Sequence, residues 1–334
     1  MKAETIHNNT SFEEQIQEAN WKRVAVKSHG GYYPVQFANG KYIITCVDRI
    51  AYSEDLDKWV YVNINNDGHK WFSMKIINGK YIKFGFDRIA YSEDLENWKY
   101  VNVNNDGCCY PVQFANGKYI ICRHKQIAYS EDLDNWVYVE IPGTWSSIIH
   151  VNDKYVMTGG NQIAYSKDLD NWVRIPVNYT DWSSIIHVNG KYVMTGYNQI
   201  AYSEDLENWK YVEITGRVNG WSSIIHANGK YVMTGGNQIV YSEDLENWKY
   251  VKVNNDTNYW YSIIYANGNL IITGHDQIAY CEIKKEEPKI TSPFNRFKEL
   301  IDKFKNENQS LKSENVTLKF KLSEIEAFIS EALN

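Results

Sequence analysis

This sequence is short of the features that announce most functional classes. Its 334 residues hold five cysteines, Cys46, Cys108, Cys109, Cys122 and Cys281, and no CxxC pair. An odd count without a secretory signal reads as reduced thiols in a cytosolic chain. The first residues, MKAETIHNNTSFEEQ, contain no apolar core of a signal peptide. No run approaches the roughly 20 apolar residues of a membrane span, so no membrane insertion is expected. Positive charge is not in excess: the net charge is −6. That argues against a nucleic-acid groove or an anionic membrane as partner. There is no HExxH or HxH spacing for zinc, and Gly159-Gly160 and Gly235-Gly236 are followed by no helix that would make them phosphate loops. No metal and no cofactor are expected. The chain is expected to be cytoplasmic at synthesis, with a virion or another released particle as its further destination. Leucine is scarce before the tail, whereas tyrosine is abundant at 26 residues and aromatics reach 15%. That bias favours strands.

What is present is repetition. The phrase IAYSEDLENW recurs along most of the chain, and its Asp falls at Asp55, Asp94, Asp132, Asp168, Asp205 and Asp244, a period of 36 to 39 residues. One unit, 182–214, divides into four short strands, SSIIH, KYVMTG, QIAYS and WKYVEI, separated by turn signals. Four strands at this period make one propeller blade. A seventh unit, 260–283, stops after its third strand, and WKRVAV at 21–26 matches the strand it lacks. The expected fold is all-β: a seven-bladed β-propeller of four-stranded blades over 21–283, with 1–20 as an N-terminal extension. Strand 21–26 closes the last blade and removes the open sheet edge.

After a linker at 284–293 the composition changes, and 294–334 reads as an α-helical coiled coil. Its a positions are Phe294, Ile301, Asn308, Asn315, Leu322 and Ile329; its d positions are Phe297, Phe304, Leu311, Leu318, Ile325 and Ala332. Asn at a sets register in parallel coils. The g–e pairs Glu307–Lys312, Glu314–Lys319 and Lys321–Glu326 are complementary. The expected partner is a second copy in a parallel dimer, ahead of a trimer. A helix docked on its own propeller is the competing arrangement.

The loop Ser203-Glu204-Asp205-Leu206-Glu207-Asn208-Trp209 resembles the Asp-box, S-x-D-x-G-x-x-W, of BNR-repeat and sialidase-type propellers. The resemblance covers 21–283 as repeat architecture; the box glycine is absent and the loop is one residue shorter. A kelch reading competes through Gly159-Gly160 and the pair Tyr165 and Trp172. The resemblance implies that the loop joins strands three and four at the outer rim. There Trp59, Trp98, Trp136, Trp172, Trp209 and Trp248 serve structure, and the six box Asp residues are neither catalytic acids nor calcium ligands. It also raises a glycosidase, which in sialidases needs an arginine triad, a Tyr/Glu nucleophile pair and an acid Asp. Here Arg49 and Arg88 lie at equivalent inner turns, with Arg123 nearby, and Gln stands there in other units. Active sites break internal symmetry, and the units at 145–253 are nearly alike. The chain is therefore expected not to be an enzyme.

Ligand binding is expected at one mouth of the central channel. Aligning the units gives a ring of Tyr32, Trp71, Cys109, Trp145, Trp182, Trp221 and Trp260. A second ring holds Arg49, Arg88, Gln126, Gln162, Gln199, Gln238 and Gln277, with Asn161, Asn198 and Asn237 beside it. Indole faces next to amides suit a sugar, which offers an apolar face and a rim of hydroxyls. The same indoles also suit a plug between blades, and both readings stand. The rim Trp set is expected to carry stability and the inner set binding. His150, His187 and His226 recur at the end of strand one and read as packing. The expected function is non-enzymatic, multivalent, lectin-like recognition displayed on an oligomeric coiled coil, as in phage-tail receptor-binding proteins. An intracellular protein-interaction scaffold is the alternative, and a sialidase-like glycosidase is third.

Overall fold

The computed structural model describes residues 11–18, 21–26, 34–45, 49–63, 71–85, 88–103, 112–122, 124–177, 181–214, 220–251, 259–274 and 277–284. Tyr32, Cys46, Cys108, Cys109, Arg123, the linker beyond Lys284 and the whole tail at 294–334 lie outside them, and with them the expected coiled coil.

Seven antiparallel sheets of four strands each follow one another along the chain. Blade 5 shows the pattern: Ser184–Val188, Lys191–Thr195, Gln199–Ser203 and Lys210–Glu213 pair in sequence order. Each hairpin between strands one and two turns on two residues with positive φ, Asn189 at 51° and Gly190 at 73° in this blade. That is the Asn-Gly signal acting as the strand twist requires. First strands of successive blades approach one another, which sets them around the axis and the fourth strands outside.

Closure is as the sequence predicts. Lys22–Ala25 pairs antiparallel with Gln277–Glu282, Arg23 opposite Ala279, so blade 7 is built from both ends of the ring.

The loops after strand three are built alike. In blade 5 the Ser203 hydroxyl donates to Asp205 Oδ1 at 3.0 Å and accepts from Leu206 N–H. Asp205 Oδ1 also accepts from the N–H of Glu207 and Asn208, and Oδ2 from the Asn208 amide. Trp209 Nε1 donates to Leu206 O at 2.7 Å. These bonds favour the carboxylate form: hydrogen bonds from the Asn208 backbone and side chain hold Asp205 well below the usual range. Leu206 adopts φ of 71°, a left-handed conformation costly for a branched side chain. Its burial at 2% exposure offsets that cost.

Adjacent blades are tied through a strand-three tyrosine. Tyr91 donates to Asp134 of the next blade at 2.9 Å, Tyr129 to Asp170 at 3.1 Å and Tyr202 to Glu246 at 2.7 Å. Lys99 joins the first of these, 2.5 Å from Asp134. Blade 7 has no such loop, because the chain leaves after strand three. The N-terminal segment supplies a substitute. Residues expected only as an extension form a helix, Phe12–Glu18, opened by a reciprocal cap between Ser11 and Glu14. Glu13 lies 2.6 Å from Lys249, as Asp134 lies 2.5 Å from Lys99. Trp21 Nε1 donates to Ile16 O at 3.1 Å, repeating the Trp–Leu bond of the loops. Phe12 and Ile16 are buried on blades 6 and 7. The last blade thus rebuilds its missing loop from a segment almost a whole chain length away.

Candidate functional site

The inner tryptophans are core. Trp145 and Trp260 are 0% exposed, Trp182 and Trp221 1%, and Trp71 3%. A sugar cannot stack on a face that protein already covers, so the expected ring of indole platforms gives way to its competing reading. Close approach of the strand-two glycines makes room for the rings. A Cβ on Gly196 would stand 3.1 Å from the Trp182 ring, and one on Gly235 2.9 Å from Trp221 Cα. The same residues link blades: the N–H of Trp182 donates to Gly160 O, that of Trp221 to Gly196 O and that of Trp260 to Gly236 O. By burial the inner set is the more enclosed of the two, since rim residues such as Trp209 are only half-buried.

The second ring is divided. Gln199 is buried and Gln162 and Gln238 half-buried, within the blades. Arg49 lies over the Tyr61 ring of its own blade at 6.0 Å, and Arg88 is half-buried opposite Asn102. Asn161, Asn198 and Asn237 are exposed at the inner turns, and the carbonyls of Asn161 and Asn198 accept from the end of strand four. His150, His187 and His226 pack on Tyr155, Tyr192 and Tyr231 of the paired strand at 4.6 to 4.9 Å. Burial pushes the His187 and His226 imidazoles below their ordinary value.

Within the ring is a cavity of about 590 Å³, lined by Gln113, Thr144, Ser146, Ser147, Gly160, Asp181, Trp182, Ser183, Ser184 and Ser222. Blades 4, 5 and 6 supply most of the wall through the recurring Trp-Ser-Ser triplet that leads into strand one. The indole turns into the blade and the serines that follow face the channel. Of the expected site residues Trp182 alone reaches this wall, and its Nε1 finds no acceptor among the described residues. Ser183 donates to Trp221 O at 2.9 Å and shares a bond with Thr195, so the wall is held in place across the blade boundary. Two exposed aromatics occupy the same ring of loops. Tyr197 follows Gly196 at the inner turn of blade 5, at 53% exposure. Tyr259 precedes Trp260, as Asp181 precedes Trp182, and its neighbour Tyr261 stacks on it with centroids 6.4 Å apart. The serines and both tyrosines were missed in the sequence. The usable signal was departure from the repeat: Tyr197 stands where blades 4 and 6 carry Gly160 and Gly236.

The cavity offers hydroxyl donors and acceptors, one amide and one carboxylate. Among the described residues no group of three or more His, Cys, Asp or Glu could hold a metal ion.

No known protein family and no curated protein matches the chain. Solved structures do. The virginiamycin B lyase from Staphylococcus aureus superposes with a TM-score of 0.70 at 15% identity, over 79% of this chain and 99% of that one. The WD40 β-propeller domain of Doa1 gives 0.63 at 13%, over 80% and 98%. The computationally designed protein Ika8 gives 0.58 at 8%, over 78% and 98%. The likeness is one of fold alone. A virginiamycin B lyase, a WD40 domain and a designed protein share this architecture, and a propeller by itself names no activity.

Proposed function

We propose that this chain is a non-enzymatic recognition protein of the Asp-box type whose channel mouth binds a polyhydroxylated, saccharide ligand. The serine-lined cavity carries the reading. A wall of Ser146, Ser147, Ser183, Ser184 and Ser222 beside Gln113 and Asp181 presents many neutral donors and acceptors over a small volume. Such a wall suits a ligand made of hydroxyls. Tyr197 and Tyr259, exposed on loops at the inner turns, offer aromatic surface outside the cavity wall. The repeated, nearly equivalent wall supports binding over chemistry, since each catalytic role needs its own residue. The tail, through its a and d pattern and complementary g–e charges, forms a parallel coiled coil that joins two propellers, so weak sites add on a multivalent surface.

A glycan array probed with the full chain tests this. Specific hits are expected, and Ser184→Leu, which fills the channel without removing a hydrogen bond within the wall, abolishes them. A flat array, or hits indifferent to Ser184→Leu, would sink the reading and favour a protein-binding scaffold. Sedimentation of the full chain is expected to give a dimer, and truncation after Lys285 a folded monomer; a monomeric full chain would remove the multivalent part.

A further inference from the structure

We infer that the channel ligand carries an anionic group, carboxylate or phosphate ester, which Lys75 and Gln113 bind; the inference rests on the saccharide reading above. One position of strand one, the innermost strand, is half-buried in every blade. It holds Gln36, Lys75 and Gln113 in blades 1 to 3, and Ile149, Ile186, Ile225 and Ile264 in blades 4 to 7. The three polar residues form a chain across blade boundaries. The Gln36 amide clasps the inner edge of blade 2, donating to Met74 O and accepting from Ile76 N–H. Between those two residues stands Lys75, whose ammonium donates to Gln113 Oε1 at 2.7 Å. Gln113 is itself part of the cavity wall.

Lys75 lacks the acidic partner that six other described lysines have, whereas Lys83 is buried against the Trp71 and Trp98 rings. Lys41, Lys80, Lys118 and Lys230 each meet a glutamate of the box loop in their own blade, and Lys99 and Lys249 meet Asp134 and Glu13. No carboxylate does this for Lys75 among the described residues. Its neighbours are the Gln113 amide and the Cys122 thiol, and burial pushes that thiol up to about 12, so it is neutral at pH 7. Burial likewise brings the Lys75 ammonium down to about 8. A sequestered cation with neutral neighbours is costly, and an anion brought to it is bound by charge-assisted hydrogen bonds. An ammonium has three donors and Gln113 takes one, so two remain for a ligand oxygen. The wall thus has hydroxyls on blades 4 to 6 and the Gln113 amide on blade 3, with the Lys75 cation of blade 2 one hydrogen bond behind that amide. That division fits an acidic sugar held by both ends.

The test compares acidic and neutral members of the same array on the full chain and on Lys75→Gln. Acidic members are expected to dominate the hits, and Lys75→Gln to weaken them by about tenfold or more while leaving neutral hits unchanged. Comparison of the strongest acidic hit with its carboxyl-reduced or dephosphorylated form then assigns the anion. A second measurement needs no variant: acetylation of Lys75 in the native chain, followed by peptide mass spectrometry, is expected to slow about tenfold under the acidic hit and not under its neutral form. Hits confined to neutral glycans, or equal protection by both forms, would overturn the inference and leave the saccharide reading standing. An array without hits would overturn both.

Discussion

Blades 2 and 4 to 7 differ from blades 1 and 3 in the residues at two matched repeat positions. Blades 4 to 7 place Trp145, Trp182, Trp221 and Trp260 at the head of strand one, over Gly159, Gly196, Gly235 and Gly274 at the end of strand two. Blade 2 keeps the pair as Trp71 and Gly85. In blades 1 and 3 both partners change together, to Tyr32 with Cys46 and to Cys109 with Arg123. In every unit that carries the indole, the facing position is glycine. The half-buried position of strand one divides differently, with isoleucines in blades 4 to 7 and Gln36, Lys75 and Gln113 in blades 1 to 3.

The largest expected effect tests the buried ring. Trp221→Ala should cost about 3–5 kcal/mol in denaturant unfolding, the range for emptying a large buried site. Trp209→Ala, half-buried at the rim, should cost clearly less. Equal losses would contradict the distinction between the two sets. Next in size is the glycine floor. A Cβ on Gly159 would lie 2.1 Å from Thr144 O, against 3.1 Å to the nearest ring atom at Gly196. Gly159→Ala is therefore expected to destabilise by about 1–3 kcal/mol and Gly196→Ala by less. Loss at Gly196 matching that at Gly159 would show that the ring, not the backbone, sets the limit. Smaller again is Gln36→Ala, about 1 kcal/mol for the amide's two bonds to blade 2. Ile264→Ala in blade 7, which removes only apolar contact at the same repeat position, should leave the exchange of the backbone amide in the facing strand unchanged. Gln36→Ala should speed that of Ile76.

The smallest effect concerns pH. Asp94, Asp132, Asp168, Asp205 and Asp244 are all held below their ordinary carboxyl values, first of all by the backbone N–H three residues on. A depressed folded value means that the native state binds protons less readily than the unfolded chain. The stability these groups contribute is thus complete above about pH 4, the unfolded value, and is lost as pH falls below it. Asp205→Asn should flatten the acid side of the melting profile slightly. A profile of unchanged slope would mean that the loop does not sense its charge.

The number of blades, their strands, the closing strand and the bonded loops were legible because each recurs and each has local turn chemistry. Two kinds of feature were not. Burial of Trp182 against half-burial of Trp209 depends on which end of a strand meets a neighbouring blade, and both residues sit beside turns in the sequence. The serine wall arises only when seven first strands surround one axis. The latch at 12–18 had a visible signal in the cap Ser11–Glu14 and the spacing of Phe12 and Ile16. Its role as a substitute loop required seeing Glu13 beside Lys249 and Trp21 bonded to Ile16 O.

Calorimetric titration of an array-selected saccharide against Ser184→Leu in the channel and Asn208→Ala at the rim tests the central claim most directly. The account predicts that binding heat disappears with the first and survives with the second. Binding that survives Ser184→Leu and is lost with Asn208→Ala would move the site to the outer loops and contradict a channel-centred recognition function.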